Sequence, residues 1–132
     1  MAKRITPGQI RRTNRQQIYQ YIYDEKKVSQ QDITYALRLS RPTVAAALTE
    51  MEDLGMIMKN GYLDSDQIGR KAAAYSIAET YRVAVGVEIQ SSRTKVVAAD
   101  LYGRMLGREV WELPYANDPA YFPGSVKAFS PS

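Results

Sequence analysis

The 132-residue chain contains no cysteine and no histidine. The first absence excludes disulfides and thiolate metal sites. The second removes imidazole ligands and the commonest general base, and together they close the Ser/His and Cys/His nucleophile pairs. No apolar run approaches the ~18 residues of a membrane-spanning helix, and Met1-Ala2-Lys3-Arg4 opens without the apolar stretch of a signal peptide. These absences predict a soluble, cytoplasmic protein with no catalytic activity, no cofactor, no metal site and no membrane partner.

With 45% hydrophobic and 24% charged residues, the composition is that of a globular chain. The charge is unevenly placed. Residues 1–45 carry nine Lys or Arg against three acidic residues, whereas residues 46–80 carry three against six. A basic front half suits an anionic partner, because neutralising phosphates releases counterions. A merely solvated charged surface would account for the same counts.

Thr6-Pro7-Gly8 can start a helix or end a flexible arm, and Ile10, Asn14, Ile18, Tyr21 and Ile22 then recur at helical spacing, ending near residues 24–27. Ser29 and Asp32 have capping-box spacing, and Ile33, Ala36 and Leu37 supply the apolar face of a short second helix. After a tight Arg38-Leu39 connection, Val44, Ala47, Leu48, Met51 and Leu54 form the core stripe of a third helix, stopped by Gly55 as a left-handed cap. Met56-Ile57-Met58 reads as a strand, Asn60-Gly61 as a turn and residues 73–77 as a return strand, leaving a wing over about 61–72. Three helices, two strands and a wing predict a winged helix-turn-helix over residues 1–80.

Over residues 81–132, Val83, Val85, Val87 and Ile89 alternate, and residues 94–101 and 105–113 repeat strand patterns, predicting a small antiparallel β-meander. Four of the six prolines fall in the last 19 residues, which predicts coil. The fold class is therefore α+β.

The helix start at Ser40-Arg41-Pro42-Thr43 carries the sharpest functional signal. Ser40 is a natural N-cap, Pro42 suits a first turn, and Arg41 adds a guanidinium where unpaired N–H groups and the positive end of the helix dipole converge. On the helical wheel the outward face presents Pro42, Ala45, Ala46 and Thr49, small enough to enter a major groove and touch thymine methyls. Alanines on an ordinary exposed helix would look the same. Arg41 and Thr43 are candidates for base-edge or phosphate contact, Gln30 and Gln31 for a phosphate clamp, and Gly69-Arg70-Lys71 for a cationic wing tip. Arg11, Arg12 and Arg15 would add sequence-independent attraction. Tyr19, Tyr21, Tyr23 and Tyr35 read mainly as packing, because their spacing spreads them around the helix.

In this order, Asn14-Arg15 with Ile18 and Ile22, Val28-Ser29, Asp32-Ile33, Leu39-Ser40-Arg41-Pro42-Thr43-Val44, Leu54-Gly55-Met56-Ile57, and Gly69-Arg70-Lys71-Ala72 before Tyr75-Ser76-Ile77 resemble the N-terminal part of the ROK family. That group contains the xylose and N-acetylglucosamine repressors as well as sugar kinases. The resemblance implies a bacterial repressor whose winged helix binds an operator and whose sugar-binding domain shifts affinity. Val85-Gly86-Val87-Glu88-Ile89 and residues 96–103 look like the first strands of that actin-like domain. The family's kinases follow an acidic residue with a glycine pair and threonine to hold ATP phosphates, whereas this chain has Glu88-Ile89-Gln90-Ser91-Ser92.

Residues 81–132 thus read as a truncated start of the sugar-binding domain, too short to enclose a sugar, so a sugar inducer is not expected. The expected partner is double-stranded DNA, with a homodimer through the strands after Tyr81 as a secondary expectation. Competing readings are a degenerate sugar-kinase-like fragment and a winged helix used for protein contacts.

Overall fold

The structure, a computed structural model, describes residues 4–64 and 69–112. The chain divides into two compact units, Met1–Ala78 and Glu79–Ser132. The expected coil after Leu113 lies outside the described residues.

In the first unit, α1 (Pro7–Glu25) starts at Thr6, whose hydroxyl accepts from the Gln9 N–H at 3.2 Å while the Gln9 side chain accepts from the Thr6 N–H at 2.9 Å. This reciprocal capping box settles the Thr6-Pro7-Gly8 segment as a helix start. Ile18 and Ile22 are fully buried, but Ile10 is not part of the core: it is 49% exposed. The helix ends in a tight γ-turn at Lys26 (φ 73°, ψ −44°), closed by the Lys27 N–H to the Glu25 carbonyl at 2.9 Å.

Next comes β1 (Val28–Ser29), a two-residue strand too short for any periodicity to announce it. α2 (Gln30–Leu37) is capped as expected: Ser29 N–H donates to Asp32 at 2.9 Å, and Asp32 N–H donates to Ser29 at 3.1 Å. Its apolar side is narrower than the wheel implies, since Ile33 is buried and Ala36 is exposed. Arg38 turns the chain in the left-handed region (φ 53°, ψ 42°), which lets α3 (Arg41–Asp53) begin three residues later.

Val44, Ala47, Leu48 and Met51 of α3 are buried, but Leu54 is a correction: it is the C-cap residue and 52% exposed. The chain leaves the helix there through a Schellman motif, with Met56 N–H to the Met51 carbonyl at 2.9 Å and Gly55 N–H to the Glu52 carbonyl at 3.0 Å. Gly55 takes the left-handed conformation (φ 76°) this geometry needs.

β2 (Ile57–Asp64) and β3 (Lys71–Ile77) form a hairpin that runs from Ile57 opposite Ile77 to Asp64 opposite Lys71. Asn60-Gly61 is therefore no turn. It lies inside β2 at an irregularity between Lys59 opposite Tyr75 and Tyr62 opposite Ala73, with Gly61 at φ 69°. Two residues there face one, as in a glycine β-bulge. β1 adds to β3, giving the sheet order β1-β3-β2. Ile18, Ile22, Val28, Ile33, Val44, Leu48, Met51, Ile57, Ala74 and Ile77 make one core between helices and sheet.

The second unit contains β4 (Ala84–Ile89), β5 (Thr94–Ala99) and β6 (Met105–Trp111), an antiparallel meander with β5 central. Thr94, Val96 and Ala98 are buried at alternate positions of β5, whereas every residue of β4 is exposed. Asp100 pins the β5–β6 turn by accepting from the N–H groups of Tyr102 and Arg104 at 2.9 and 2.8 Å. Glu88 sits well within this unit's charge pattern: the Gln90 side-chain hydrogen bond and the neighbouring Lys95 hold its carboxyl below the usual range.

Candidate nucleic-acid interface

α3 owes its start to Ser40. The Ser40 hydroxyl accepts from the Thr43 N–H at 3.3 Å and donates to Thr43 Oγ1 at 2.7 Å, so the cap and the first-turn threonine hold each other. Arg41 and Pro42, the first two helical residues, are exposed. The outward face has Ala46 and Thr49 exposed and Ala45 half-buried. Thr49 hydroxyl donates to the Ala45 carbonyl at 3.0 Å. Both threonine oxygens are thus engaged with their own helix, which leaves methyl groups and the Pro42 ring as the main surface chemistry of this face.

Two concave strips flank α3. Along the α1 side, Pro7, Ile10, Asn14, Pro42, Ala46 and Glu50 line a shallow groove. Along the other side, Gln30, Gln31, Thr34, Arg41 and Tyr75 line a second, together with Ala72 and Ala73. The Gln30 side-chain amide donates to the Arg41 carbonyl at 3.4 Å and ties the start of α2 to the start of α3. Gln30 thereby serves the helix-turn-helix geometry directly, and Gln31 stands beside it.

Arg15 has a different role from the one its charge suggests. Its guanidinium bonds Glu50 at 2.7 Å, linking α1 to the acidic back half of α3. The two side chains keep 32% and 42% of their surface in solvent, so the pair is worth only ~0.2–1 kcal/mol, but it neutralises one expected cation. Arg11 and Arg12 remain exposed on α1.

Gly69, Arg70 and Lys71 are all exposed at the far end of the β2–β3 hairpin, Lys71 being the first residue of β3 and Gly69 adopting φ 79°. Residues 65–68, which complete the expected wing tip, lie outside the described residues. Tyr62 on β2 is 67% exposed and Tyr35 on α2 is 70% exposed. Tyr19, Tyr21 and Tyr23 are half-buried, as packing tyrosines should be. No local sequence signal marks Tyr75, because only the pairing of β3 with β1 and β2 brings it to the concavity that Arg41 also lines. Among the described residues no helix is long and apolar enough to cross a membrane.

Comparison with known proteins agrees with this geometry. Residues 11–58, from α1 into the start of β2, match the family described as winged helix-turn-helix DNA-binding. No curated protein sequence matches the chain. Among solved structures it is similar to a ROK family transcriptional regulator, a homologue of the E. coli MLC protein, with a TM-score of 0.60 at 14% identity over 89% of this chain. The match spans 29% of that regulator's chain. Residues 11–58 therefore carry a winged helix-turn-helix, within a chain whose fold follows that of a ROK family transcriptional regulator across both units.

Proposed function

We propose that the chain is a sequence-specific DNA-binding transcriptional regulator that represses sugar-utilisation genes. α3, over residues 41–54, enters the major groove, and the wing, over about 61–72, meets the flanking backbone or minor groove. The observation that carries this reading is the match of residues 11–58 to a DNA-binding winged helix, whose reading helix starts at an exposed Ser40-Arg41-Pro42 corner. Repression follows from occupancy of an operator and requires no chemistry, and the place of action is the cytoplasm, where the DNA is.

The face Pro42, Ala45, Ala46 and Thr49 offers methyl contacts, so direct readout is modest and DNA shape supplies part of the specificity. Glu52 and Asp53 would meet like-charged phosphates, Glu50 being offset by Arg15, which restricts groove entry to the first two turns of α3. The second unit is the beginning of a ROK-type sugar-binding domain. The similarity to the longer regulator supports this, because it covers more of the chain than the first unit spans. A homodimer through the strands of this unit would impose a twofold operator, and no sugar inducer is assigned to residues 81–132.

The test is the joint substitution Arg41→Ala and Arg70→Ala, with affinity for duplex DNA measured across a salt series. Each lost phosphate contact should flatten the slope of log affinity against log salt by about 0.9. Unchanged affinity and slope would rule out this docking geometry.

A further inference from the structure

We infer that the concavity between α2, α3 and β3 seats a backbone phosphate of bound DNA, that Arg41 contacts this phosphate rather than a base, and that Tyr75 is a further contact residue. This rests on the DNA-binding reading above and specifies it. At 3.6 residues per turn, Arg41 stands roughly 90° around α3 from the centre of the Pro42, Ala45, Ala46, Thr49 face. It is on the flank turned toward α2 and β3, where it lines a concavity of about 300 Å³.

The chemistry of that concavity suits an anion. Its polar side chains are two amides, two hydroxyl groups and a guanidinium, and no carboxylate lines it. Thr34 hydroxyl is committed to the Gln30 carbonyl at 2.9 Å, and the Gln30 amide leans on the Arg41 carbonyl. The donors left to face a ligand are the second amide N–H of Gln30 and those of Gln31, Arg41 and Tyr75. The remaining lining residues, Ala72 and Ala73, carry side chains of one methyl group each. Tyr75 is held in place by β3, with Val28 of β1 on one side and Lys59 of β2 on the other. Lys59, exposed and opposite Tyr75, adds positive charge beside it, while Lys71 farther along the hairpin stands opposite Asp64. A guanidinium bonding a phosphate fixes the position of the helix on the duplex but carries no sequence information.

The experiment uses the full chain and a duplex enriched by selection, together with a panel of single-base-pair variants of that duplex, at several salt concentrations. Wild type is compared with Arg41→Ala, Arg41→Lys and Tyr75→Phe, each checked for retained helical circular dichroism. Arg41→Ala should weaken every duplex by a common factor of about tenfold, leave the ranking of base variants unchanged and flatten the salt slope by about 0.9. Arg41→Lys should recover most of the loss, since a lysine also binds phosphate as a point charge. Tyr75→Phe should weaken all duplexes several-fold with the slope unchanged, because no charge is removed. Relaxed preference at one base pair in Arg41→Ala would overturn the phosphate assignment, and unchanged affinity in Tyr75→Phe would overturn the role of Tyr75. In both of those outcomes the DNA-binding reading survives, whereas failure of the wild type to bind any duplex would overturn both.

Discussion

Replacing Ser40 separates what its hydroxyl does for the fold from what its position does for DNA. Ser40→Ala removes the acceptor of the Thr43 N–H and the 2.7 Å bond to Thr43 Oγ1. Loss of an N-cap costs about 1 kcal/mol, within a range of roughly 0.5–2. The site is exposed, so water replaces part of what is lost and the middle of that range applies. For a unit of this size about 1 kcal/mol lowers Tm by roughly 4–8 °C. All the described helices belong to the first unit, whereas the single tryptophan, Trp111, belongs to the second. Thermal unfolding followed at 222 nm should therefore shift, whatever Trp111 fluorescence reports. Ser40→Asp keeps a capping oxygen and favours the helix dipole, so its stability should return to within about 0.5 kcal/mol of wild type. The same carboxylate would face phosphate, so DNA affinity should fall below that of Ser40→Ala. The reasoning is refuted if Ser40→Asp is as unstable as Ser40→Ala, or if it binds DNA as well as wild type.

Three more outcomes follow from the packing and the backbone. Ile33→Ala empties a fully buried position between α2 and the rest of the core and should cost about 2–5 kcal/mol in urea unfolding; a loss under 1 kcal/mol would mean the site collapses or is not core. Arg38→Gly should stabilise the first unit by up to about 1 kcal/mol, as relief of the left-handed strain outweighs the extra freedom of the unfolded glycine; a lowered Tm would show that the Arg38 side chain contributes more than its backbone costs. Burial, with Glu25 and Asp32 nearby, raises the pKa of Tyr21 above its ordinary 10.0. The folded state then keeps a proton that the unfolded chain loses, so this contribution is complete below pH 10 and disappears as pH rises beyond it. Tyr21→Phe should lose less stability between pH 9 and 11 than wild type, measured by urea unfolding, and an equal loss would contradict the shift.

What could be read in the sequence was local. The capping pair Ser29/Asp32, the Ser40 cap and the Gly55 stop each place a donor and an acceptor within a few residues, so type and spacing suffice, whereas Thr6-Pro7-Gly8 suits a helix start or a flexible arm and only the bonds with Gln9 decide between them. What escaped depends on partners distant in the chain. β1 has two residues and exists because β3 has an edge to offer it. Asn60-Gly61 has the composition of a hairpin turn, but a left-handed glycine serves a bulge equally well, and pairing out to Asp64 and Lys71 decides between them. Leu54 continues the wheel of α3 on paper, yet it is the capping residue just before the chain reverses at Gly55, and half of its surface stays in solvent. At the interface, Arg41, Pro42, Ala46 and the wing cations are exposed as their types suggested, while Arg15 is drawn into a pair with Glu50 and Tyr75 is added by the sheet register.

The most direct measurement is selection of duplex DNA from a random library by the full chain, followed by sequencing of what is retained. A winged helix that reads DNA should enrich one short motif, bound with a steep inverse dependence on salt and lost when Arg41 and Arg70 are both alanine. A pool that stays as random as the input, or a motif retained equally well by the double variant, would contradict that reading.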